Sequence, residues 1–324
     1  MAKYLITGVA GFIGSTLARA LLERGEYVRG IDNLSTGRRE NITAIENRID
    51  FRCGDILNKH AIADACTGID FVMHLAAIPS VAKSVADPFA CNQAAVDGTL
   101  NVLVAARDAH VRRIVYAASS SAYGETRTLP KREDVAPDPI SPYAVAKLAG
   151  EMYMKAFYRC YGLETVTLRY FNIFGPRQDP TSPYSGVLAK FITSMLEGRA
   201  PAIYGDGEQS RDFTYVDNAV QANLKACLAP AERCAGRCFN IACGERTSLN
   251  RTYQLLQQMT GFCGSANYGP DRAGDIKHSL ADIGAARDAL GYDPQVDFAE
   301  GLRRAVAWYR ENMHFLVSGQ TQTK

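Results

Sequence analysis

The sequence lacks long apolar runs, and it lacks an excess of charge of either sign. No stretch approaches the roughly 18–20 consecutive apolar residues that a membrane-spanning helix needs. The 36 basic and 34 acidic residues give a formal net charge of +2, which predicts no attraction to nucleic acid or to a membrane surface. Lys3–Thr7 already has the composition of a β-strand, so no secretory leader is indicated. We therefore expect a cytoplasmic protein whose partners are neither nucleic acids nor membranes.

Paired metal ligands are also missing from the sequence. The nine cysteines are scattered singly, and the nearest approach to a cluster is Cys234, Cys238 and Cys243, with no CxxC pair and no histidine nearby. The five histidines lack the spacing of metal ligands as well. The sequence therefore predicts no metal site, and it predicts structural thiols in a reducing compartment.

What the sequence does contain is a regular alternation of strand-like and helix-like segments. Its 324 residues are enough for a large core and for two lobes. The alternation through the first half predicts a parallel sheet that is covered on both faces. The predicted strands are Lys3–Thr7, Tyr27–Ile31, Ile49–Cys53, Phe71–His74, Arg113–Ala117 and Thr165–Arg169. The predicted helices of this half are Ser15–Arg24, Asn92–His110 and Tyr143–Tyr161.

The texture changes after Asn172, where prolines and glycines mark loops. Further helices are predicted near Val187–Glu197, Asn218–Leu228, Leu249–Thr260 and Phe298–Asn312. We expect an α/β fold in which a Rossmann-type, doubly wound parallel sheet carries a smaller α/β substrate-binding lobe over the carboxyl ends of its strands. The predicted domains are residues 1–171, with some later segments returning to them, and residues 172–313. Residues 314–324 are predicted to be a flexible tail.

A glycine motif follows the first predicted strand and opens the first predicted helix. In Gly8-Val-Ala-Gly11-Phe-Ile-Gly14, the glycines permit a tight turn and let the backbone approach a pyrophosphate at the positive helix end. An ordinary glycine-rich turn is the alternative. Asp32 ends the second predicted strand, where a carboxylate binds ribose hydroxyls and repels a 2′-phosphate, so NAD is favoured over NADP. Asp55 ends the next strand and suits an adenine amino group, with a turn-forming role as the alternative.

A tyrosine and a lysine stand four residues apart on one predicted helix. Tyr143 and Lys147 therefore share a helix face, and an ammonium beside a phenol favours the phenolate, as does the positive ring of a bound nicotinamide. Ser119, at the end of a predicted strand, can relay a proton between the phenol and a substrate hydroxyl. A structural amphipathic helix is the alternative for the Tyr–Lys pair. A serine-rich turn is the alternative for Ser120 and Ser121.

Taken in order, these motifs resemble those of the extended short-chain dehydrogenase/reductase family, specifically the nucleotide-sugar 4-epimerases of the UDP-galactose type. The resemblance covers nearly all of residues 1–313. It also rests on His74-Leu-Ala-Ala77, Asn92 with Gly98, Ser119–Gly124, Arg169-Tyr-Phe-Asn172, Ser210-Arg-Asp-Phe213 and Arg272-Ala-Gly-Asp275. Within the family, the chain is most similar to bacterial epimerases that act on UDP-N-acetylhexosamines. That closer similarity lies in Arg211-Asp-Phe-Thr-Tyr-Val, Arg246-Thr-Ser-Leu-Asn and His278-Ser-Leu-Ala-Asp.

The resemblance implies a mechanism and a partner. Tyr143, with Ser119, would remove the proton from the sugar 4-hydroxyl while C4 gives a hydride to NAD. The 4-keto sugar would rotate, and the hydride would return to its other face. Family analogy also implies a homodimer, packed through the helices near Asn92–His110 and Tyr143–Tyr161.

The motifs and the resemblance together assign a set of site residues. Asn172, Arg211 and Arg272 are implied to bind the diphosphate, since guanidinium groups match phosphate oxygens. Tyr204 is implied to stack on uracil, and Asp275 to accept from the uridine ribose. The cofactor residues are Gly8, Gly11, Phe12, Ile13, Gly14, Asp32, Asn33, Ser35, Thr36, Gly37, Asp55, Ile56, Leu75, Ala76, Ala77, Asn92, Tyr143, Lys147 and Tyr170. The substrate residues are Ser80, Ser119, Ser120, Ser121, Tyr143, Asn172, Val187, Tyr204, Arg211, Arg272, Asp275 and Ser279.

Two positions bear on the sugar. Pro79 stands where epimerases of the UDP-galactose type often carry a lysine, which leaves the contacts of Ile78–Lys83 open; Ser80 and Lys83 face either the sugar or the cofactor. Ser279 borders the 2-position of the hexose in the family match, where a tyrosine would fill the space of an N-acetyl group. We therefore expect UDP-N-acetylglucosamine and UDP-N-acetylgalactosamine to be preferred, with activity on UDP-glucose and UDP-galactose. A plain loop serine is the alternative.

Other functions remain open at this point. A UDP-glucuronate 4-epimerase would share every catalytic residue. A 4,6-dehydratase needs an Asp–Glu pair where this chain has Ser120 and Ser121, and a UDP-glucuronate decarboxylase keeps a glutamate at the second of these places. A non-enzymatic NAD sensor would have no need of Ser119, Tyr143 and Lys147 together.

Overall fold

The fold is built on one parallel sheet. A computed structural model of the chain describes residues 1–180, 186–271 and 277–317. The strands are β1 (Lys3–Thr7), β2 (Tyr27–Asp32), β3 (Asp50–Cys53), β4 (Phe71–His74), β5 (Arg113–Ser119), β6 (Glu164–Tyr170), β7 (Ile173–Phe174), β8 (Ala202–Tyr204), β9 (Ser210–Arg211), β10 (Thr214–Tyr215), β11 (Arg237–Ile241), β12 (Thr247–Ser248) and β13 (Asn267–Gly269). Among the described residues, seven strands form the main sheet in the order β11-β6-β5-β4-β1-β2-β3, all parallel.

Helices cover this sheet and build the rest of the molecule. They are α1 (Phe12–Glu23), α2 (Lys59–Cys66), α3 (Val81–Ala86), α4 (Pro88–Asn92), α5 (Gly98–Asp108), α6 (Pro142–Tyr161), α7 (Val187–Leu196), α8 (Val216–Leu228), α9 (Ala231–Cys234), α10 (Leu249–Thr260), α11 (Gly284–Leu290) and α12 (Phe298–Val317). No helix in the described ranges is both long enough and apolar enough to span a bilayer.

The strand order reverses between β1 and β4, which lie side by side at the centre of the sheet. In such doubly wound sheets, ligands bind in the crevice outside the carboxyl ends of the strands at this point. The predicted Rossmann-type α/β fold is therefore confirmed. The glycine motif after β1 and the His74-Leu-Ala-Ala77 motif after β4 are brought next to each other at this crevice.

Three elements differ from the sequence-based expectation. The predicted helix Asn92–His110 is three segments, because a π-helical turn, Gln93–Asp97, separates α4 from α5. The edge strand β11 was not predicted individually, although later segments were expected to return to the sheet domain. The tail predicted from residue 314 begins inside α12, which is helical through Val317.

The second lobe has an apolar core of its own. Side chains of α7, α10 and α12 meet those of the short strands, with Phe191, Phe213, Leu256 and Tyr309 among the buried residues. In contrast, α8 packs on the main sheet, where its buried residues join the core of the first half of the chain. The connection after Asn172 therefore enters the smaller lobe, and the chain returns to the sheet through α8 and β11.

Arg113, the first residue of β5, ties α8 to the sheet. Its side chain is fully buried, and its Nε donates to Glu164 Oε2 at 2.8 Å. Its Nη1 donates to the carbonyl oxygens of Ala226, Cys227 and Ala229 at 2.7–3.0 Å, where α8 ends. One guanidinium group thus satisfies carbonyls that the helix terminus leaves without intrahelical partners.

We predict that Arg113→Leu lowers the free energy of unfolding by about 3–5 kcal/mol, because it orphans buried carbonyls and a partly buried carboxylate. Urea denaturation measures the change. Arg112→Leu removes the exposed neighbouring arginine and should cost within about 0.5 kcal/mol. Similar losses in both variants would contradict the assignment.

Candidate active site

The glycine motif forms a turn that only glycine fits. Gly8 has φ of +74°, and a Cβ there would lie 2.9 Å from the backbone nitrogen of Ala76. A Cβ on Gly14 would lie 2.2 Å from the carbonyl oxygen of Gly8. Gly11 is the N-cap of α1 and adds no side-chain cap, so the positive end of this helix faces the crevice. The geometry fits a pyrophosphate at the helix end.

A cavity of about 420 Å³ opens at this turn. Every predicted cofactor residue except Asn92 lines it, including both aspartates, Tyr143, Lys147 and Tyr170. The chain segments that line it include the ends of β1 to β6, the start of α6, and α4 with the π-helical turn that follows it. A glycine-floored crevice with a carboxylate at one end and the Tyr–Lys pair at the other fits an extended dinucleotide. The individual contacts with NAD stay predictions.

Asn92 lies elsewhere. It is exposed at the end of α4 and lines a second depression with Pro88, Phe89 and Pro142. Gln93 and Ala94, in the π-helical turn, line the cofactor cavity in its place. Asn92 therefore does not line the cofactor cavity, and its assignment to the cofactor stays a prediction.

The two aspartates are held by local hydrogen bonds. The buried carboxylate of Asp32 accepts from the backbone nitrogens of Ala10 and Leu34 at 2.9 and 2.8 Å. Burial raises the pKa of Asp32, and these two hydrogen bonds act in the opposite direction. Asp55 accepts from the backbone nitrogen of Leu57 at 2.8 Å and from Asn33 Nδ2 at 2.7 Å. The turn-forming role of Asp55 is thus present, and the residue also lines the cavity.

The Tyr–Lys pair lies at the start of α6, against the end of β5. Ser141 caps the helix by accepting from the backbone nitrogen of Ala144 at 3.2 Å. The buried ammonium of Lys147 donates to the carbonyl oxygen of Ala117 at 2.8 Å and lies 5.0 Å from the centre of the Tyr116 ring. Burial lowers the pKa of Lys147 to about 8.

Tyr143 and Ser119 are neighbours in the site. Burial raises the pKa of the Tyr143 phenol, and the nearby hydroxyl of Ser119 lowers it. We expected Lys147 to lower this pKa, and the structure does not confirm that expectation, because the ammonium is bound to Ala117 instead. Ser119 Oγ also accepts from the backbone nitrogen and the hydroxyl of Ser121, at 3.1 and 2.9 Å. The serine run is therefore a turn, Ser120–Tyr123, that presents Ser119 to Tyr143.

The predicted substrate residues lie on both lobes. Asn172 has φ of +41° and donates from Nδ2 to the carbonyl oxygen of Asp212 at 3.0 Å. Arg211 lies on β9. The backbone nitrogen of Ser279 donates to the carbonyl oxygen of Ser210, the other residue of β9, at 3.0 Å. Arg272 and Asp275 lie outside the described residues.

The remaining substrate residues have different settings. Tyr204 is 40% exposed on β8, and Val187 begins α7. Ser80 is buried and caps α3, accepting from the backbone nitrogen of Lys83 at 3.1 Å. The hydroxyl of Ser80 thus has a structural partner in its own helix.

Asp212, inside the Ser210-Arg-Asp-Phe213 motif, is a buried carboxylate that holds several of the predicted substrate segments together. Its fully buried carboxylate accepts from the backbone nitrogens of Cys243, Gly244 and Ala281 at 2.9–3.2 Å. Burial raises its pKa to about 7. Asp212 joins the strand that carries Arg211 to the segment that carries Ser279. Its place in the Ser210-Arg-Asp-Phe213 motif is the sequence feature that points to this role.

A model of the NAD dependent epimerase/dehydratase family matches residues 4–242. The chain belongs to this family. It is 39% identical over 317 residues to the UDP-glucose 4-epimerase of Mycolicibacterium smegmatis, covering 95% of this chain and 98% of that one.

Two solved epimerase structures have the same fold. The UDP-N-acetylglucosamine 4-epimerase of Methanobrevibacter ruminantium, in complex with UDP-N-acetylmuramic acid, is 38% identical with a TM-score of 0.92, covering 96% of this chain and 99% of that one. The UDP-glucuronic acid 4-epimerase of Bacillus cereus, in complex with UDP-glucuronic acid and NAD, is 34% identical with a TM-score of 0.87, covering 95% and 99%. By family, the chain is therefore an NAD-dependent UDP-sugar 4-epimerase. The three relatives are named for different sugars.

We predict that the buried Lys147 makes the free energy of unfolding depend on pH. Its pKa falls from 10.5 when unfolded to about 8 when folded, so the unfolded state binds more protons between these values. The Lys147 contribution therefore raises the free energy of unfolding as pH increases through this window, by about 3 kcal/mol in total.

Denaturation of the wild type and of Lys147→Met across the window measures this contribution. The stability of the variant relative to the wild type should fall as pH rises from about 8 to about 10.5. Lys155→Met, on the exposed side of the same helix, is the matched control. A constant difference for Lys147→Met would show that the folded state holds this lysine no differently from the unfolded chain.

Proposed function

We propose that the chain inverts C4 of UDP-hexoses through a transient 4-keto sugar, with UDP-N-acetylglucosamine and UDP-N-acetylgalactosamine as the preferred pair. The observation that carries the reaction is that Tyr143 and Lys147 line the glycine-floored cavity and that Tyr143 lies beside Ser119, the last residue of β5. The site is at the carboxyl edge of the sheet, between the two lobes' predicted substrate residues. This arrangement supplies a proton acceptor, a relay and a dinucleotide pocket in one place.

Each residue has a defined task in this proposal. Tyr143 takes the proton of the sugar 4-hydroxyl, and Ser119, which is next to the phenol, passes it between the two oxygens. Lys147, on the same helix as Tyr143, supplies a positive charge that its hydrogen bond to the carbonyl oxygen of Ala117 holds in place. Bound NAD supplies a reversible hydride acceptor. Arg211 and Asn172 hold the diphosphate while the sugar turns, so that the ketone presents its other face.

We predict that Tyr143→Phe lowers turnover by at least about a hundredfold, with little change in UDP-sugar binding, because only the proton transfer is lost. A coupled assay for product and a binding titration with UDP measure the two effects. Tyr161→Phe removes an exposed hydroxyl from the end of the same helix and serves as the control. Near-normal turnover of Tyr143→Phe would refute the proton-transfer role.

The sugar preference rests on Ser279. The residue is partly buried, and its backbone is fixed to Ser210, beside the predicted diphosphate ligand Arg211. The carboxylate of Asp212 fixes the same segment two residues later, at Ala281. A small side chain on so firmly held a segment leaves space that a tyrosine would fill, which favours a substrate with a group larger than hydroxyl at C2.

We predict that Ser279→Tyr reduces turnover of UDP-N-acetylglucosamine at least about tenfold and leaves UDP-galactose turnover within about threefold, because overpacking affects the larger substrate. Ser279→Ala is the matched control, since it removes the hydroxyl without adding bulk. It should retain activity on both pairs. Equal losses on both pairs in Ser279→Tyr would show that this residue does not gate the pocket.

UDP-glucuronate 4-epimerase is the nearest alternative function. Such an enzyme would use the same Tyr143, Lys147 and Ser119, and the Bacillus cereus structure has this activity on the same fold. Turnover of the glucuronate pair, measured beside the glucose and N-acetylglucosamine pairs, decides between them. A dehydratase is less well supported, because the turn after β5 carries Ser120 and Ser121 in place of an acid–base pair.

We also propose that the protein is a homodimer. The outer side of α6 exposes Val145 and Met152, and nearby Val85 and Phe89 are also largely exposed. An apolar surface of this kind on the helices that family analogy assigns to the interface fits a second copy of the chain. We predict a solution mass of about twice the 35.3 kDa of one chain, by light scattering. A mass of one chain at micromolar concentration would overturn this proposal.

A further inference from the structure

A buried hydrogen-bond chain passes through His74 beneath the cofactor cavity. His74 ends β4, is 1% exposed, and has no task in the reaction described above. Its Nδ1 lies 2.7 Å from Thr7 Oγ1, and its Nε2 lies 2.9 Å from Thr99 Oγ1. Both threonines are fully buried, so each polar atom in the chain depends on these partners.

The donors and acceptors of the chain fit only one placement of the protons. The hydroxyl of Thr99 donates its single hydrogen to the carbonyl oxygen of Ala95, at 2.6 Å. It must therefore accept from His74, which puts the ring proton on Nε2. Nδ1 is then an acceptor, and it receives the hydroxyl hydrogen of Thr7.

Thr7 carries the chain to the cavity wall. Its Oγ1 accepts from the backbone nitrogens of Leu75 and Ala76, each at 3.2 Å. Leu75 and Ala76 line the cavity, and Ala76 lies against Gly8 of the glycine motif. A protonated ring would place a second donor against Thr7 Oγ1, which would displace the donors that hold this wall.

The surroundings keep the ring neutral. The Tyr116 ring lies 5.5 Å from the His74 ring, and the ammonium of Lys147 lies over the same tyrosine. Burial, and then the positive charge of Lys147, lower the pKa of His74 to about 3. The positive charge of Lys147 therefore favours the neutral form of His74.

We propose that His74 is a positioning residue for the cofactor, which in its neutral Nε2–H form joins the two walls of the cavity. One wall is Leu75–Ala77, reached through Thr7. The other is the π-helical turn Gln93–Asp97, reached through Thr99 and Ala95, and its Gln93 and Ala94 line the cavity. π-helical turns are rare and concentrate at functional sites. The inference rests on NAD as the cofactor of the family and is independent of the sugar preference.

The state of the ring is measured directly by nitrogen-15 NMR of the holoprotein with labelled histidine. The expected result is a protonated Nε2 and an unprotonated Nδ1 for His74 at all values between about pH 5 and pH 9. A proton on Nδ1, or uptake of a second proton in this range, would overturn the proposal. This measurement uses the unaltered chain, so it does not depend on the folding of a variant.

Substitutions test whether the hydrogen bonds hold the cofactor. His74→Met replaces the ring with an apolar side chain and removes both hydrogen bonds. We expect NAD to dissociate at least about tenfold faster, because the buried hydroxyls of Thr7 and Thr99 lose their partner. His74→Gln restores an acceptor and a donor and should recover most of the wild-type rate. Thr99→Val, which preserves shape away from the cavity wall, should also accelerate release. His60→Gln on the exposed side of α2 is the control.

The dissociation rate is measured by chasing bound NAD from the holoprotein with excess labelled NAD. The KM for the UDP-sugar should stay within about threefold in every variant, since the chain does not reach the substrate lobe. Unchanged NAD release in His74→Met and Thr99→Val, or equal acceleration in His74→Gln and His74→Met, would overturn the positioning role. Absence of UDP-sugar epimerase activity in the wild-type protein, with NAD release accelerated in the variants as expected, would instead count against the proposed function and leave the positioning role of His74 standing.

Discussion

The hydrogen bond from Lys147 to the carbonyl oxygen of Ala117 is the interaction on which the reactive centre depends. It fixes helix α6 on the end of β5, so that Tyr143, one turn earlier, meets Ser119, the last residue of the strand. The close approach continues along the helix, where a Cβ on Gly150 would lie 2.4 Å from the hydroxyl of Tyr116. Burying an ammonium group costs stability, as its lowered pKa records. The buried charge of Lys147 therefore contributes to the proposed reaction rather than to the stability of the fold.

The rest of the site follows from the carboxyl edge of a parallel sheet. Strands β1 and β4 end side by side, and their following turns approach so closely that Gly8 has no room for a side chain against Ala76. The same edge presents Asp32 to one end of the crevice and α6 to the other. Buried polar groups, rather than apolar contacts alone, hold these pieces in register: Arg113 attaches α8, and Asp212 attaches the segments of the smaller lobe. Each of them satisfies backbone groups that the connections leave without partners.

The parts of the site that can be predicted from the sequence are formed by residues close together in the chain. The glycine motif and the Tyr143–Lys147 pair are set by spacing within one turn or one helix, so their positions follow from local geometry. The parts that were missed depend on distant contacts. Thr7 and His74 are 67 residues apart, and Asp212 reaches Ala281 across 69. Gln93 and Ala94, which line the cavity, lie in a π-helical turn that the side-chain pattern does not signal. The hydrogen bond of Lys147 to the carbonyl oxygen of Ala117 joins a helix to a strand 30 residues earlier, which helix spacing alone does not predict.

The proposed function gives relatives with different sugars one reactive centre, because the proton and hydride chemistry at C4 is the same for each sugar. In that proposal the remainder of the sugar is recognised by the segment that Asp212 holds. The central claim is that C4 itself gives up and regains the same hydride. The most direct measurement uses UDP-N-acetylglucosamine carrying deuterium at C4, incubated with the protein in ordinary water without added NAD. The account predicts that the C4-epimer forms and retains its deuterium at C4. Product in which C4 has exchanged its deuterium for solvent hydrogen would contradict it.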